Sequence, residues 1–170
     1  MQIRAEKPID QQAIFELNVA AFPGQGEARL IDQLRDHAKL SLSLVAEHAS
    51  KVVGHIAFSP VTIETNGQTI AHGIGLAPIA VDPDLQKQGI GSALILEGIR
   101  QCREKGVSFI VVLGDPAYYS RFGFMPASNY KLEDEYSGGD AFQIYMINPA
   151  SLPSVGGIVK YVSEFNGLGD

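Results

Sequence analysis

The chain has 170 residues, of which 45% are apolar and 19% are charged. These values are ordinary for a globular protein, exclude a disordered chain and favour one domain spanning residues 1–170. The formal net charge is −6, and no basic tail or Lys/Arg stripe is present to neutralise phosphates, so we expect no nucleic-acid partner.

Cys102 is the only cysteine in the sequence. A single cysteine excludes an intramolecular disulfide and a cysteine-based zinc site, and we interpret Cys102 as a core residue on the apolar side of a helix. The first ten residues, MQIRAEKPID, contain no apolar signal segment, and no apolar run approaches the ~18 residues of a membrane span. No His/Asp/Glu cluster has metal-ligand spacing. We therefore expect a cytoplasmic protein that contacts no membrane and holds no metal.

The beginning of the chain is predicted to contain one strand and two helices. MQIRAE is short and alternates, which indicates a strand. Asp10 is a candidate N-cap of a helix that continues to about Phe22. The apolar positions of this helix are Ile14, Leu17, Val19, Ala20 and Ala21. FPGQG ends it, and a second helix follows with Leu30, Ile31 and Leu34 on its apolar stripe and Glu27, Arg29, Asp32 and Arg35 facing outward.

The middle of the chain is rich in strand patterns. Three runs predict consecutive strands: LSLSLVAEHA, KVVGHIAFSPVTIE and TIAHGIGLAPIAVD. Asn66-Gly67 separates the last two and predicts a tight hairpin, because both residues tolerate positive φ. These strands are therefore expected to be antiparallel neighbours.

The second half adds a long amphipathic helix that ends near Cys102 and then VSFIVVLGD, a dense apolar run typical of a buried strand. Pro116 suits the first turn of a short helix. AFQIYMINP is predicted as a late strand, and GGIVKYVSEFNGLGD as a further strand with a frayed end. The resulting order βααβββαβαββ predicts an α+β fold in three α/β/α layers, with a mixed, mostly antiparallel sheet.

The turn before the long helix has the spacing Q-x-x-G-x-G, formed by Gln86, Gly89 and Gly91. It is neither a P-loop nor a dinucleotide-binding fingerprint, because the required third glycine or Gly-Lys-Ser/Thr is missing. The amides at a helix N-terminus bind anions, and glycines let a phosphate approach the backbone. From the residues alone, a phosphate site and an ordinary strand–helix connection both stay open.

Two segments together resemble the GNAT N-acetyltransferase superfamily. VDPDLQKQGIGSALI is similar to its pyrophosphate loop, and LGDPAYYSRFGF is similar to its second motif, in which a tyrosine precedes Gly-Phe by four residues. Together with RAEKPID and LVAEHASKVVGHIAFSPV, these segments resemble the YhbS-like branch of acetyltransferases, and the likeness extends from about Ile3 to Phe165. It implies the acyl-CoA N-acyltransferase fold, whose central parallel strand pair is splayed.

The resemblance also implies a binding site for acetyl-CoA as co-substrate. The strands that flank the pantetheine arm would be APIAVD and FIVVLG, and Gly73, Gly75 and Pro78 fit a disrupted ladder. The residues expected to bind the coenzyme are Ile79, Ala80, Val81, Gln86, Lys87, Gln88, Gly89, Ile90, Gly91, Ser92, Asp115, Tyr118 and Phe122. An ordinary buried strand end and a solvated Lys87 are the alternatives.

Acetyl transfer to an amine expels a thiolate, so a proton donor near the sulfur assists it. Tyr119 precedes Gly123-Phe124 by four residues and occupies the family's position for that acid. The alternative is an aromatic core residue with its hydroxyl at the surface, a description expected to fit Tyr118 better than Tyr119.

Three residues and a water relay are candidates for the base that deprotonates the amine. Glu27 is the candidate at a position that lines the acceptor site in this superfamily, and otherwise it is a first-turn residue of its helix. His72 is either a second candidate or an outward strand residue, and Asp115 is either a third or a helix cap. Water relays are a further alternative, and His55 is interpreted as structural.

The expected acceptor is a primary amine, carried by a small molecule or by a protein. The segment MPASNYKLEDEYSGGDAF contains Glu133, Asp134, Glu135 and Asp140 and favours a cationic acceptor, unless these carboxylates are merely solvated. A catalytically silent acyl-CoA-binding or sensor module is the alternative function, and a nucleotide-binding regulator is a third. We expect a monomer or a homodimer.

Overall fold

A computed structural model describes residues 1–152 and 154–168. Its α-helices are α1 (Gln11–Ala21), α2 (Gly26–Asp36), α3 (Ile90–Glu104) and α4 (Pro116–Tyr119). Its strands are β1 (Gln2–Ala5), β2 (Leu42–His48), β3 (Lys51–Thr65), β4 (Gln68–Val81), β5 (Phe109–Leu113), β6 (Met125–Pro126), β7 (Leu132–Asp134), β8 (Phe142–Met146) and β9 (Gly157–Tyr161). Among these residues, no helix combines the length and the apolar character needed to cross a bilayer.

The described residues form two compact units. The first unit comprises Met1–Ser59, Ala77–Arg100 and the described residues from Ser163 onward. The second comprises Pro60–Leu76 and the described part of Gln101–Val162. Strands β3 and β4 and helix α3 each continue from one unit into the other. The expectation of one domain over residues 1–170 stays a prediction.

In the first unit, helices cover both faces of an antiparallel sheet. Strand β2 pairs with β1 and with β3, with Val45 opposite His55 and Leu44 opposite Ile56. Val45 packs with Ile14 of α1 and Ile31 of α2. The opposite face of β3, which includes Gly54, packs against α3. A Cβ added at Gly54 would lie 2.8 Å from Ile90 of that helix. This arrangement confirms an α+β fold with helices on both faces.

In the second unit, β4 and β5 are parallel, with Ile74 opposite Ile110 and Gly75 opposite Val111. The pairs β5–β8, β6–β8 and β3–β9 are antiparallel, and β7–β9 is parallel. The sheet is therefore mixed and mostly antiparallel, as predicted. Gly73 is required by packing, because a Cβ there would collide with the ring of Phe109.

The predicted hairpin is confirmed. Strand β3 ends at Thr65 and β4 begins at Gln68, and the two residues between them, Asn66 and Gly67, have φ values of 53° and 77°. The short helix after Asp115 begins at Pro116, and Cys102 is only 2% exposed, so both of these predictions are also confirmed.

Asp10 occupies the N-cap position of α1, as predicted, but its side chain makes no cap hydrogen bond to that helix. Its carboxylate instead accepts hydrogen bonds from the Arg4 guanidinium, at 2.7 and 3.0 Å, and from the Lys7 amide. The guanidinium of Arg4 therefore lowers the pKa of the Asp10 carboxyl.

The predicted faces of the first two helices need correction. On α1, Val19 and Ala20 are exposed, whereas the polar Asn18 is buried and donates to the Ile14 carbonyl at 2.9 Å. On α2, Arg35 does not face solvent freely, because it makes two 2.9 Å hydrogen bonds to the carboxylate of Glu6. Helical spacing alone predicted which side chains face solvent. An ion pair partly buries Arg35, and a side-chain-to-backbone hydrogen bond accompanies the burial of Asn18.

The predicted frayed end was also wrong for the described part of the tail. Ser163–Gly167 forms a 3₁₀ helix, and its Phe165 is 5% exposed. Glu164 accepts a 2.7 Å hydrogen bond from Lys39. Strands β6 and β7 were not predicted, because two and three residues are too short to show a period.

Helix α3 lies close to β3 because Gly98 has no side chain. A Cβ at this position would collide with the fully buried ring of Phe58. Alanine normally stabilises a helix interior relative to glycine by about 1 kcal/mol. We predict the opposite sign here. Gly98→Ala should destabilise the protein by ~1–2 kcal/mol, because the destabilisation from overpacking a filled core is larger than the stabilisation from the higher helix propensity of alanine.

Urea unfolding measures this effect, and a double-mutant cycle provides the control. The smaller side chain of Phe58→Leu relieves the collision. In that background, Gly98→Ala should lower the free energy of unfolding by less than in wild type, or should raise it. A stabilising effect of Gly98→Ala in the wild-type background would contradict the packing argument.

Candidate functional site

The turn between β4 and α3 is fixed at its beginning by Asp82. Its amide donates to the Val53 carbonyl at 2.9 Å, and its carboxylate accepts from the Asp84 amide at 2.9 Å. The 3₁₀ turn Pro83–Leu85 follows. The chain therefore leaves the strand in a defined direction before it reaches the glycines.

Two residues of the turn have left-handed backbone conformations, Lys87 at φ 63° and Gly89 at φ 87°. The carbonyl of Gly89 accepts the first hydrogen bond of α3, from Ala93 at 3.0 Å. The amides of Ile90 and Gly91 thus precede the helical ladder, at the positive end of a 15-residue helix. The turn has the backbone arrangement of an anion site.

The glycine at position 89 is required for conformation. A Cβ added there would meet no atom within 4 Å, so the space beside it is open, but positive φ disfavours any side chain. The sequence pattern marked Gly89 as a place where a phosphate approaches the backbone, and that role stays a prediction. It did not identify Lys87 as left-handed, because no residue-type signal marks a lysine in that conformation.

The turn brings together most of the predicted pyrophosphate ligands. Gln86, Lys87, Gln88 and Gly89 are exposed, and Gly91 and Ser92 are half-buried. Ile90 differs, because its side chain is 7% exposed and packs toward β3, which leaves only its backbone for a ligand. Of the predicted pantetheine strand, Ala80 is buried, and Ile79 and Val81 are half-buried. The Gln86 side chain makes a long 3.4 Å bond to the Val81 carbonyl.

In the second unit, the residues after β5 form an aromatic cluster. Tyr118 lies edge-on to Tyr119 and to Phe122, with ring centroids 5.2 and 5.3 Å apart. Tyr119 also packs edge-on against Phe124, at 5.6 Å. Asp115 begins the segment and accepts the Ala117 amide at 3.0 Å, so its carboxylate caps α4. The cluster holds the second motif in one conformation.

Tyr119 is the more buried of the two adjacent tyrosines. It is 7% exposed, whereas Tyr118 is half-buried. The expectation that Tyr118 packs with its hydroxyl at the surface stays a prediction. Burial raises the pKa of Tyr119 to about 12. Its ring lies where a Cβ of Gly114 would be, and this glycine was not recognised from the sequence as a supporting residue.

The three candidate bases lie in different surroundings. Glu27 is half-buried in the first turn of α2 and lines a cavity of about 440 Å³ with Pro23, Gly24, Gln25, Gly26, Gly167 and Leu168. His72 is exposed on β4, and Asp115 is the cap described above. Of these residues, only Glu27 lines a described cavity.

His55 and Cys102 are both buried. His55 is fully buried and contacts the Ser43 hydroxyl at 2.7 Å, and burial lowers its pKa to about 4. The imidazole is therefore neutral at physiological pH. Burial raises the pKa of the Cys102 thiol to about 11, so this thiol is protonated.

The acidic segment divides into structural and surface carboxylates. Asp134 accepts the amides of Tyr136 and Gly138, at 3.0 and 2.7 Å, and Glu135 accepts the Tyr161 amide at 2.9 Å. Glu133 and Asp140 are exposed. A groove of about 350 Å³ is lined by Ser128, Leu132, Glu133, Asp134, Ser137, Gly139, Asp140 and Phe142. Within the described residues, no group of three or more His, Cys, Asp or Glu side chains could hold a metal.

Comparison with known proteins identifies the family. Residues 2–127 match the model of the "Acetyltransferase (GNAT) domain". The uncharacterized N-acetyltransferase YhbS of Escherichia coli strain K12 is 39% identical over 168 residues, which cover 98% of this chain and 99% of that protein.

Two solved structures share the fold along nearly the whole chain. The crystal structure of E. coli YhbS in complex with CoA is 39% identical, with a TM-score of 0.91 over 99% of this chain and 93% of that one. A GNAT acetyltransferase from Brucella melitensis in complex with acetyl-CoA is also 39% identical, with a TM-score of 0.79 over 96% of this chain and 97% of that one. The chain therefore has the GNAT fold and belongs to the GNAT acetyltransferase family.

Proposed function

We propose that this protein is an acetyl-CoA-dependent N-acetyltransferase acting on a primary amine of a small molecule or a protein. The observation that carries the proposal is the left-handed turn through Lys87 and Gly89, which leads directly into the first turn of α3, where the Gly89 carbonyl accepts from the Ala93 amide. The relatives from E. coli and B. melitensis, crystallised with CoA and acetyl-CoA, support it.

Each part of the coenzyme has a proposed partner. The diphosphate binds the backbone from Gln88 to Ser92, with Gln86 and Lys87 at its edge. The amides of the pantetheine arm bond the backbone of Ile79, Ala80 and Val81, as a strand added to a sheet does. Tyr118 and Phe122 supply aromatic contacts. Asp115 acts through its cap, which fixes the start of α4.

Tyr119 is the proposed proton donor to the leaving sulfur. The amine attacks the thioester carbonyl, the tetrahedral intermediate collapses, the C–S bond breaks and the thiolate takes up a proton. A free thiol has a pKa of about 8.5, so a phenol with a pKa of about 12 protonates a solvated thiolate poorly. Burial raises the pKa of the Cys102 thiol in this protein to about 11. If the coenzyme thiolate is desolvated to a similar degree, the pKa of its thiol is raised toward that of Tyr119, and proton transfer becomes more favourable.

Glu27 is the proposed base for the attacking amine, directly or through water. It combines partial burial with a cavity large enough for a small acceptor. A catalytically silent acyl-CoA-binding module is the alternative function. It is favoured if acetyl-CoA binds but no primary amine in a broad panel releases CoA above background.

The diphosphate assignment is tested with Gly89→Ala against Gly106→Ala. Both glycines have positive φ, 87° and 77°, and an added Cβ would meet no atom at either position. Both variants should therefore lose about 1 kcal/mol of stability. Only Gly89→Ala should weaken acetyl-CoA binding, by about 10-fold or more in Kd. Calorimetry measures this, and equal affinities of the two variants would refute the site.

The proton donor is tested with Tyr119→Phe against Tyr118→Phe, which removes the adjacent hydroxyl. We expect kcat to fall by about 10²-fold in Tyr119→Phe, with the KM for acetyl-CoA unchanged, because only the transition state loses a donor. Tyr118→Phe should stay within about twofold of wild type in kcat. CoA release with the best amine of the panel is the assay, and similar losses in both variants would remove Tyr119 from its role.

The raised pKa of Tyr119 also predicts a pH dependence. The folded state favours the neutral phenol, so the stability from this group is complete below its ordinary pKa of 10 and is lost as the pH rises from 10 to about 12. Turnover should stay level across neutral pH and fall as the pH approaches 12. The ultraviolet phenolate signal of wild type minus Tyr119→Phe should titrate near 12. A midpoint near 10 would show a solvated hydroxyl, and circular dichroism at each pH identifies unfolding.

A further inference from the structure

Residues 163–168, here called the tail segment, lie against helix α2. Near the carboxyl end of the helix, Glu164 accepts a 2.7 Å hydrogen bond from Lys39. At the amino end, a Cβ added at Gly26 would lie 3.3 Å from a methyl group of Leu168. The tail segment is therefore held near both ends of α2, and all of these residues belong to the first unit.

Leu168 is also fixed by its own backbone. Its amide donates to the Phe165 carbonyl at 3.0 Å, and Phe165 is only 5% exposed. Leu168 itself is half-buried. It lines the cavity of about 440 Å³ that Glu27 also lines. The tail segment thus supplies an apolar residue to the wall of the proposed acceptor cavity.

The cavity combines one carboxylate with apolar side chains and glycine backbone. Among the described residues that line it, Glu27 has the one charged side chain and Gln25 is the other polar residue. Three of the lining residues are glycines, and the remaining two, Pro23 and Leu168, are apolar. An ammonium group is attracted to a carboxylate, whereas a carbon chain gains free energy by leaving water. This lining therefore suits an amine with an apolar body.

We propose that Leu168 is a specificity-determining residue of the acceptor site, where it contacts the carbon chain of a primary alkylamine whose nitrogen is bound at Glu27. This inference rests on the proposed function, because it names the substrate class of the same cavity. Burial of one methylene group raises an affinity about 4-fold. The contact is equally strong in the ground state and in the transition state, so its loss raises KM and leaves kcat unchanged.

The experiment measures CoA release from acetyl-CoA with ethylamine and with butylamine. Leu168→Ala is compared with Leu40→Ala, because Leu40 is a half-buried leucine of the same unit that lines another cavity, of about 430 Å³. Butylamine has two more methylene groups, so wild type and Leu40→Ala should prefer it by about 15-fold in kcat/KM. Leu168→Ala should reduce this preference to about 3-fold or less, through the KM for butylamine.

Two further variants keep the size of the side chain. Leu168→Met remains apolar and should retain most of the preference for butylamine. Leu168→Gln is polar and should lose it as Leu168→Ala does, because the amide resists transfer out of water. Thermal unfolding of each variant identifies a loss of fold.

The outcomes separate the two proposals. If acetyl-CoA does not bind in calorimetry, or if no primary amine of the broad panel releases CoA, the proposed function fails, and the role of Leu168 fails with it. If other amines react but wild type does not prefer butylamine to ethylamine, the function stands and the role of Leu168 is overturned. That role is also overturned if Leu168→Ala and Leu40→Ala change the preference alike, or if Leu168→Ala lowers kcat with an unchanged KM.

Discussion

The structure depends on the close contact between helix α3 and strand β3, because that contact fixes where the helix begins. Gly54 and Gly98 have no side chains at the points where Ile90 and Phe58 approach them. A larger residue at either position would move the helix as a rigid body, and with it the amides of Ile90 and Gly91. The precision of the proposed diphosphate site is therefore set by core packing, whereas the turn itself contributes conformation. The glycines that set this precision, Gly54 of β3 and Gly98 of α3, therefore lie in the packing contact and not in the turn.

Tyr119 shows how the same logic governs the chemistry of the second motif. Its ring takes the space that a side chain at Gly114 would fill and packs edge-on against Phe124 and Tyr118. The burial that fixes the ring also raises the pKa of its hydroxyl to about 12. A phenol of this kind stays protonated at all physiological pH values. In the proposed role of proton donor, it would suit a leaving group whose own pKa has been raised by the same loss of water.

The sequence predicted the parts of the fold that local chemistry determines. Asn66-Gly67 specified a hairpin through positive φ, Pro116 specified a helix start, and the apolar run Phe109–Leu113 specified a buried strand. The features that the sequence did not predict depend on tertiary contacts or on backbone conformation without a residue-type signal. Asp10 had a cap signature but bonded to Arg4, and Lys87 adopted a left-handed conformation without any residue-type signal. Tyr119 is more buried than Tyr118, and its ring lies in the space that a side chain at Gly114 would fill. No sequence pattern indicates that this space is present.

Net charge proves to be a poor guide to the ligand of this protein, and the structure shows why. Many of its carboxylates are engaged internally: Glu6 and Asp10 with arginines, Glu164 with Lys39, and Asp115, Asp134 and Glu135 with backbone amides. These charges are stabilised by local partners, and between exposed groups their effect is largely screened beyond a Debye length of about 8 Å in physiological salt. At the proposed diphosphate site, the potential that a coenzyme would meet is set instead by helix amides and Lys87. An acidic net charge is therefore compatible with a polyanionic ligand when the carboxylates are engaged within the fold.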